Sequence, residues 1–192
     1  MLKRAMEHFE VGFGVSCGAI SGREDVARVV LGKSQLAALL LTSLIEWFTQ
    51  LHYLEHVRDD EELDALFRDI LKFHWIDESQ HAKADTLLMK ELSGHLSDEE
   101  RERAVDELLG LGSAIDGLLA QQIEMDIDAL EKAIGRTFSG KEKEEIRTHQ
   151  RRSYRWTFLV SGLEHPAFVE IVNDLTRAGG EKIAAAAKAL AA

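Results

Sequence analysis

The chain has 192 residues and carries 34 Asp and Glu against 23 Lys and Arg, a formal net charge of −11. That balance argues against a surface that grips a nucleic-acid backbone or an anionic membrane, since both need clustered Lys and Arg. The length suffices for a single domain, residues 1–192, with a substantial core, and one Pro among abundant Leu, Ala and Glu predicts an all-α protein.

A lone cysteine, Cys17, excludes an internal disulfide and fits a reducing compartment. No basic segment leads into an apolar one, so no signal peptide is read and a cytoplasmic protein is expected. The longest apolar stretch, Leu36 to Trp47, is interrupted by Thr42, Ser43 and Glu46 and is too short to span a bilayer.

In chain order, residues 1–20 are interrupted by glycine and give no assignable element; Glu7, His8 and Glu10 there form a distal candidate ligand set. Four helix starts then carry a capping pattern: Ser21 with Glu24, Asp59 with Glu62, Ser97 with Glu100, and Ser139 with Glu142. The periodicity that follows predicts helices at about 22–57, 60–92, 98–134 and 140–162. Short turns join them, so neighbours should run antiparallel in an up-down-up-down four-helix bundle. Gly162 and Pro166 end the fourth helix. A short helix at about 166–178, then Gly179-Gly180 and an Ala-rich terminal helix, complete a C-terminal extension, 163–192, to the core bundle of 22–162.

The second helix carries the chemistry. His74, Glu78 and His81 read H-x3-E-x2-H, and steps of four and three return to one helix face. They share the stripe of Phe67, Leu71, Asp85 and Leu88, which has the spacing of a core-facing seam. Burying two imidazoles and a carboxylate without partners costs about several kcal/mol, and a divalent metal is the partner that suits them best. Shifting this seam by 75 residues lays it on Ile146, His149, Ser153, Trp156, Val160 and Leu163, an apparent internal repeat in which only His149 repeats the polar pattern.

Hairpin geometry selects further ligands. With the first turn centred near residue 60, Glu46 lies level with His74 and Glu78, on the stripe of Leu39, Ser43 and Gln50. With the second hairpin centred near 138, Glu124 lies between His149 and Ser153; Gln122 and Asp126 sit on the opposite margin of the same apolar face. The candidate metal ligands are therefore Glu46, His74, Glu78, His81, Glu124 and His149. Mixed carboxylate and imidazole donors suit iron, manganese or zinc, as one or two ions.

Glu46 together with Glu78-Ser79-Gln80-His81 resembles the first half of a ferritin-like diiron-carboxylate bundle, and His74 one turn earlier is similar to the three-histidine site of the arylamine N-oxygenases in that superfamily. The resemblance covers roughly residues 22–162. It implies a non-haem iron site that activates O2 to oxidise a small organic substrate. The chain departs from that pattern on the fourth helix, where Ser153 and Trp156 stand at the positions of a second Glu-x-x-His.

Other features have plainer readings. His52 and His56 resemble haemerythrin spacing, but they lie near the turn, below the level of His74, and in the reverse order. Trp47, Trp75 and Trp156 read as core aromatics or as the lining of a substrate pocket. Arg151, Arg152 and Arg155 read as a solvated face or a carboxylate site. The expectation is a ferritin-like metalloprotein with oxidoreductase chemistry, using O2 and a small-molecule substrate, and homodimeric. Its rival is a non-catalytic, dimeric binding or structural bundle whose metal site is partial or lost.

Overall fold

The computed structural model describes residues 2–15, 18 and 22–192. Among these, every regular element is helical and there is no strand. Helix α1 spans Leu2–Phe13, α2 Arg23–Leu31, α3 Gln35–His56, α4 Ala65–Ser93, α5 Asp98–Ile134 and α6 Gly140–Arg155. A π-helical turn, Trp156–Val160, carries the last of these into α7, Ser161–Leu163; α8 (Pro166–Leu175) and α9 (Arg177–Ala191) follow.

Two predicted starts move. The helix expected at 22–57 is broken by Gly32 to Ser34, where the Ser34 side chain accepts from the Ala37 N–H and caps α3. Glu107 of α5 then accepts from the Ser34 N–H (2.9 Å) and from its hydroxyl, which pins the break to the third long helix. The second helix starts at Ala65 because Asp64 accepts from the Phe67 N–H; Asp60 instead takes the Glu62 N–H in a bend. The Ser97/Glu100 and Ser139/Glu142 boxes form in full. Ser21 and Cys17 lie outside the described residues. Gly135, at φ 66°, ends α5 in the left-handed conformation that suits glycine.

The main core gathers Leu36, Leu40 and Leu44 of α3, Val105 and Leu108 of α5, Met89 of α4, and Phe168, Val172 and Ile183 of α8 and α9. The C-terminal helices are thus part of the central packing. Gly162 allows this: a Cβ there would lie 2.8 Å from the Leu44 carbonyl oxygen, so only glycine lets α7 approach α3 so closely. Trp47 stacks on His165, with ring centroids 4.4 Å apart, and holds the start of α8 against α3. Helix α9 runs straight through Gly179 and Gly180, and Gly179 is buried against Val105.

Helices α4 and α6 are packed differently from the rest. Over 29 residues α4 buries only Ala82 and Met89, and its principal neighbour is α3. Helix α6 has no buried residue and rests on α5 through charged groups.

Candidate metal centre

The hairpin of α3 and α4 assembles the cluster. Its observed pairings, Gln50 Nε2 to the Trp75 carbonyl (3.2 Å) and Thr42 Oγ1 to Asp85 Oδ2 (2.7 Å), centre the hairpin near residue 63. Glu46 therefore sits beside Glu78 and His81. One donor atom from each of these three lies within 4.8 Å of the others, the one such group among the described residues. Glu78 is the hub: Oε1 is 3.0 Å from His74 Nδ1, and Oε2 is 2.9 Å from His81 Nδ1. Glu46 Oε1 lies 3.8 Å from the same His81 nitrogen. The two carboxylates are sunk, 12% and 16% exposed, whereas the His81 side chain is 55% exposed and forms the mouth.

The electrostatics leave room for a cation. Glu46 Oε2 is buried and has no hydrogen-bond partner. Burial pushes the Glu46 carboxyl up to about 8, helped by its hydrogen bond to Glu78 and by the negative charges of Glu78, Asp85 and Asp77. For Glu78 burial also works upward, but hydrogen bonds with Glu46 and His81 and the charges of His74 and His81 prevail and hold it below the usual range. Its hydrogen bond to Glu78 raises His81. Two carboxyls this close share a proton, unless a cation takes its place.

The donor set fits a metal. Metal–ligand bonds of about 2.1 Å bring donor atoms to within roughly 4.2 Å of one another, so a small closing of these side chains completes the grip. An ion would also give the buried Glu46 oxygen the partner it lacks. His74, on the far oxygen of Glu78, is placed to hold that carboxylate or to serve a second ion.

Two predicted ligands are not brought to this cluster. Glu124 is clasped by Arg147, at 2.6 Å from Nε and 2.9 Å from Nη2. His149 is exposed on α6. The second hairpin centres near residue 136, not 138, which sets Glu124 beside an arginine. Ser153 and Trp156 are likewise exposed, so the middle of the repeated seam does not turn inward, although its far end, Val160 and Leu163, is buried. Glu7 and His8 are exposed on α1, and the rings of His52 and His56 lie 5.9 Å apart, with His56 also 3.9 Å from Glu55. Arg151 and Arg155 both bind Asp116. Thr42, which orients Asp85, was not anticipated; it stands one turn before Glu46, and moving the turn three residues on would have revealed it.

A cleft of about 450 Å³ between α3, α4 and α8 is lined by Trp47, Gln50, Ser79 and Lys83, among others. Ser79 and Lys83 project from the flank of α4 turned away from His81, so this cleft opens on the other side of the hairpin. Trp75 stacks on Tyr53 at 5.1 Å, and Trp156 is 41% exposed. Among the described residues no helix is long and apolar enough to cross a membrane.

No family model, curated protein or solved structure matches this chain. The likeness to ferritin-like proteins rests on the Glu46, Glu78 and His81 pattern alone.

Proposed function

We propose that this chain is a ferritin-like metalloprotein that holds iron on Glu46, Glu78 and His81, with His74 beside them, and oxidises a small organic substrate with O2. The observation that carries this reading is the buried, unpartnered Glu46 oxygen within reach of a second carboxylate and an imidazole. Bound iron would supply the redox chemistry. The chain's own residues have separate tasks. Glu46 and Glu78 deliver negative charge into a half-buried site and hold the cation. His81, at the mouth, closes the site on the solvent side. His74 fixes the Glu78 oxygen that His81 does not touch. Thr42 keeps Asp85 turned towards α3, where its charge adds to the attraction for a cation. Manganese and zinc suit the same donors.

One observation favours the rival, a non-catalytic dimeric bundle: the α5–α6 hairpin adds no ligand, since Glu124 is spent on Arg147. Metal content separates the two. Untagged protein from iron-supplemented cells should carry iron by mass spectrometry of the intact chain, and substrate oxidation should need O2. A chain that stays metal-free after anaerobic reconstitution with iron(II) would leave the cluster as a hydrogen-bonded network and support the non-catalytic reading.

A further inference from the structure

We propose that a second copy of this chain, related by a two-fold axis passing beside α4 at the level between Glu78 and His81, closes the site and contributes its own Glu46, Glu78 and His81 to a shared two-metal centre. The inference rests on the metal reading above and goes beyond it by assigning the missing half of the ligand set.

The first observation is an incomplete set. Carboxylate-bridged two-metal bundles take one Glu from each of two helices and a Glu-x-x-His from each of two others. One copy offers half of that: Glu46 on α3, and Glu78 with His81 on α4. The α5–α6 hairpin, where the other half was expected, presents Ser153 and Trp156. Two copies of the α3–α4 hairpin supply the whole. Four glutamates then face two divalent ions, and the charges cancel.

The second observation is the flank that would meet the partner. The α4 stripe that holds the ligands repeats in steps of four and three, the spacing of a coiled-coil seam. Part of it is open: Phe67 is 46% exposed, Leu88 52%, and the His81 side chain 55%, while Leu71, His74, Glu78, Asp85 and Leu92 between and beyond them are half-buried. An isologous contact requires the stripe to complement itself when reversed. Reversed about a point between Glu78 and His81, it does. Phe67 meets the partner's Leu92, and Leu71 meets the partner's Leu88. His74 meets the partner's Asp85, and Glu78 meets the partner's His81. Apolar residues pair at both ends, and each imidazole finds a carboxylate in the middle. Asp85 gives one oxygen to Thr42 and has the other to offer. The axis passes beside α4 at the level of the ligands, between the two sets, so the two half-sites adjoin.

The test uses the full chain, stripped of metal and then titrated with zinc(II) or, without oxygen, iron(II), and followed by native mass spectrometry and light scattering. The expected result is a single-chain mass that doubles as one ion per chain is bound. Leu88→Lys, on the exposed seam, should stay single-chain and bind zinc at least tenfold more weakly. Leu87→Lys, 64% exposed but on the opposite flank of α4, should do neither. If the metal-free protein is already a dimer, separation of Leu88→Lys into single chains with the same tenfold loss supports the shared site, and a persisting dimer overturns it. A single-chain mass at full loading overturns the shared site and leaves the metal reading standing. A chain that binds neither ion overturns both.

Discussion

The two long hairpins, α3–α4 and α5–α6, each set acidic residues of one helix against the other, and they satisfy them in opposite ways. In α5–α6, Glu124 meets Arg147, Asp116 meets Arg151 and Arg155, and Asp126 accepts from the Tyr154 hydroxyl at 2.6 Å. In α3–α4, Glu46 meets a second carboxylate, and no Lys or Arg is bound to either. The same residue type is an ion-pair partner in one hairpin and a candidate ligand in the other. What decides is the residue opposite, not the acid. An arginine ends the search for a counter-charge; a glutamate and two histidines leave it open to an ion.

The largest effect should come from removing the hub of the open hairpin. Glu78→Ala takes a ligand from the ion and the anchor from both imidazoles. Metal affinity should fall by more than about 100-fold, beyond the loss typical of an outer-shell partner. The stabilisation on adding metal, which by linkage reaches about 2.7 kcal/mol at a hundredfold excess over Kd and shows as a rise in melting temperature, should largely vanish with it. His81→Ala should lower metal content and melting temperature in the same sense. Undiminished metal content in either variant would remove α4 from the site.

The closed hairpin should respond to acid instead of metal. Asp116 sits 16% exposed between two arginines, and its hydrogen bond with Arg155 outweighs burial and holds its carboxyl below the ordinary range. A lowered folded value means that the stabilisation is complete above the unfolded value, about 3.9, and is lost as pH falls through the folded one. Asp116→Asn should cost about 2–3 kcal/mol at neutral pH, because it strands Arg155 half-buried. Below about pH 4 its stability should converge on that of the parent protein. Urea unfolding from pH 2 to 7 checks this; parallel curves across that range would rule out the ion pair as the cause.

These contrasts were only partly legible in the sequence. The α3–α4 ligands could be read because Glu46, His74, Glu78 and His81 lie on seams whose register follows from helical spacing and one short turn. The error of three residues in the turn came from taking Asp59 as the cap in place of Asp64; it moved the partner of Glu46 along α4 from the level of His74 to that between Glu78 and His81, and all three lie on the same stripe. The break at Gly32 was hidden because Gly32-Lys33-Ser34 interrupts the apolar pattern only briefly, between Leu31 and Leu36, and Ser34 caps α3 within that gap. The α5–α6 reading placed Glu124 by a turn centred near 138 and took His149 from its match to His74; the observed register sets Glu124 on Arg147, and His149 stays exposed. Helix α6 has too few apolar residues towards its start to bury that face, and Arg147, Arg151 and Arg155 bind α5 by charge. A pattern of apolar positions says which face turns inward only when there is enough apolar surface to pull it there.

A subtler contrast concerns the proton that stands in for the metal. In metal-free protein Glu46 titrates at about 8, chiefly through burial, far above an unfolded carboxylate. A raised folded value reverses the sign of the Asp116 case: its contribution is complete below about pH 4.3 and is lost as pH rises through the folded value. Glu46→Gln removes that loss. With chelator present, the variant should be more stable than the parent by about 1–2 kcal/mol at pH 8 and nearly equal to it at pH 4. With metal present, the order should invert, since the variant has lost a charged ligand. Melting curves at several pH values, with and without chelator, measure both. Identical pH slopes for the two chelated proteins would mean that Glu46 is not the group whose charge is being withheld.

The smallest effect is also the sharpest divider between the hairpins. Glu124 and Arg147 are 53% and 37% exposed, and solvent screens a pair at such exposure so that it contributes little to stability. Glu124→Ala should therefore barely move the melting temperature. It should leave metal content and affinity unchanged, because the arginine already neutralises this carboxylate and α6 brings no imidazole to it. A loss of metal in Glu124→Ala would mean that α5 and α6 swing towards α4 when the ion binds, giving up the Arg147 pair to do so. The ligand set would then close within one chain, and no second copy would be required. Unchanged binding keeps the candidate site on α3 and α4.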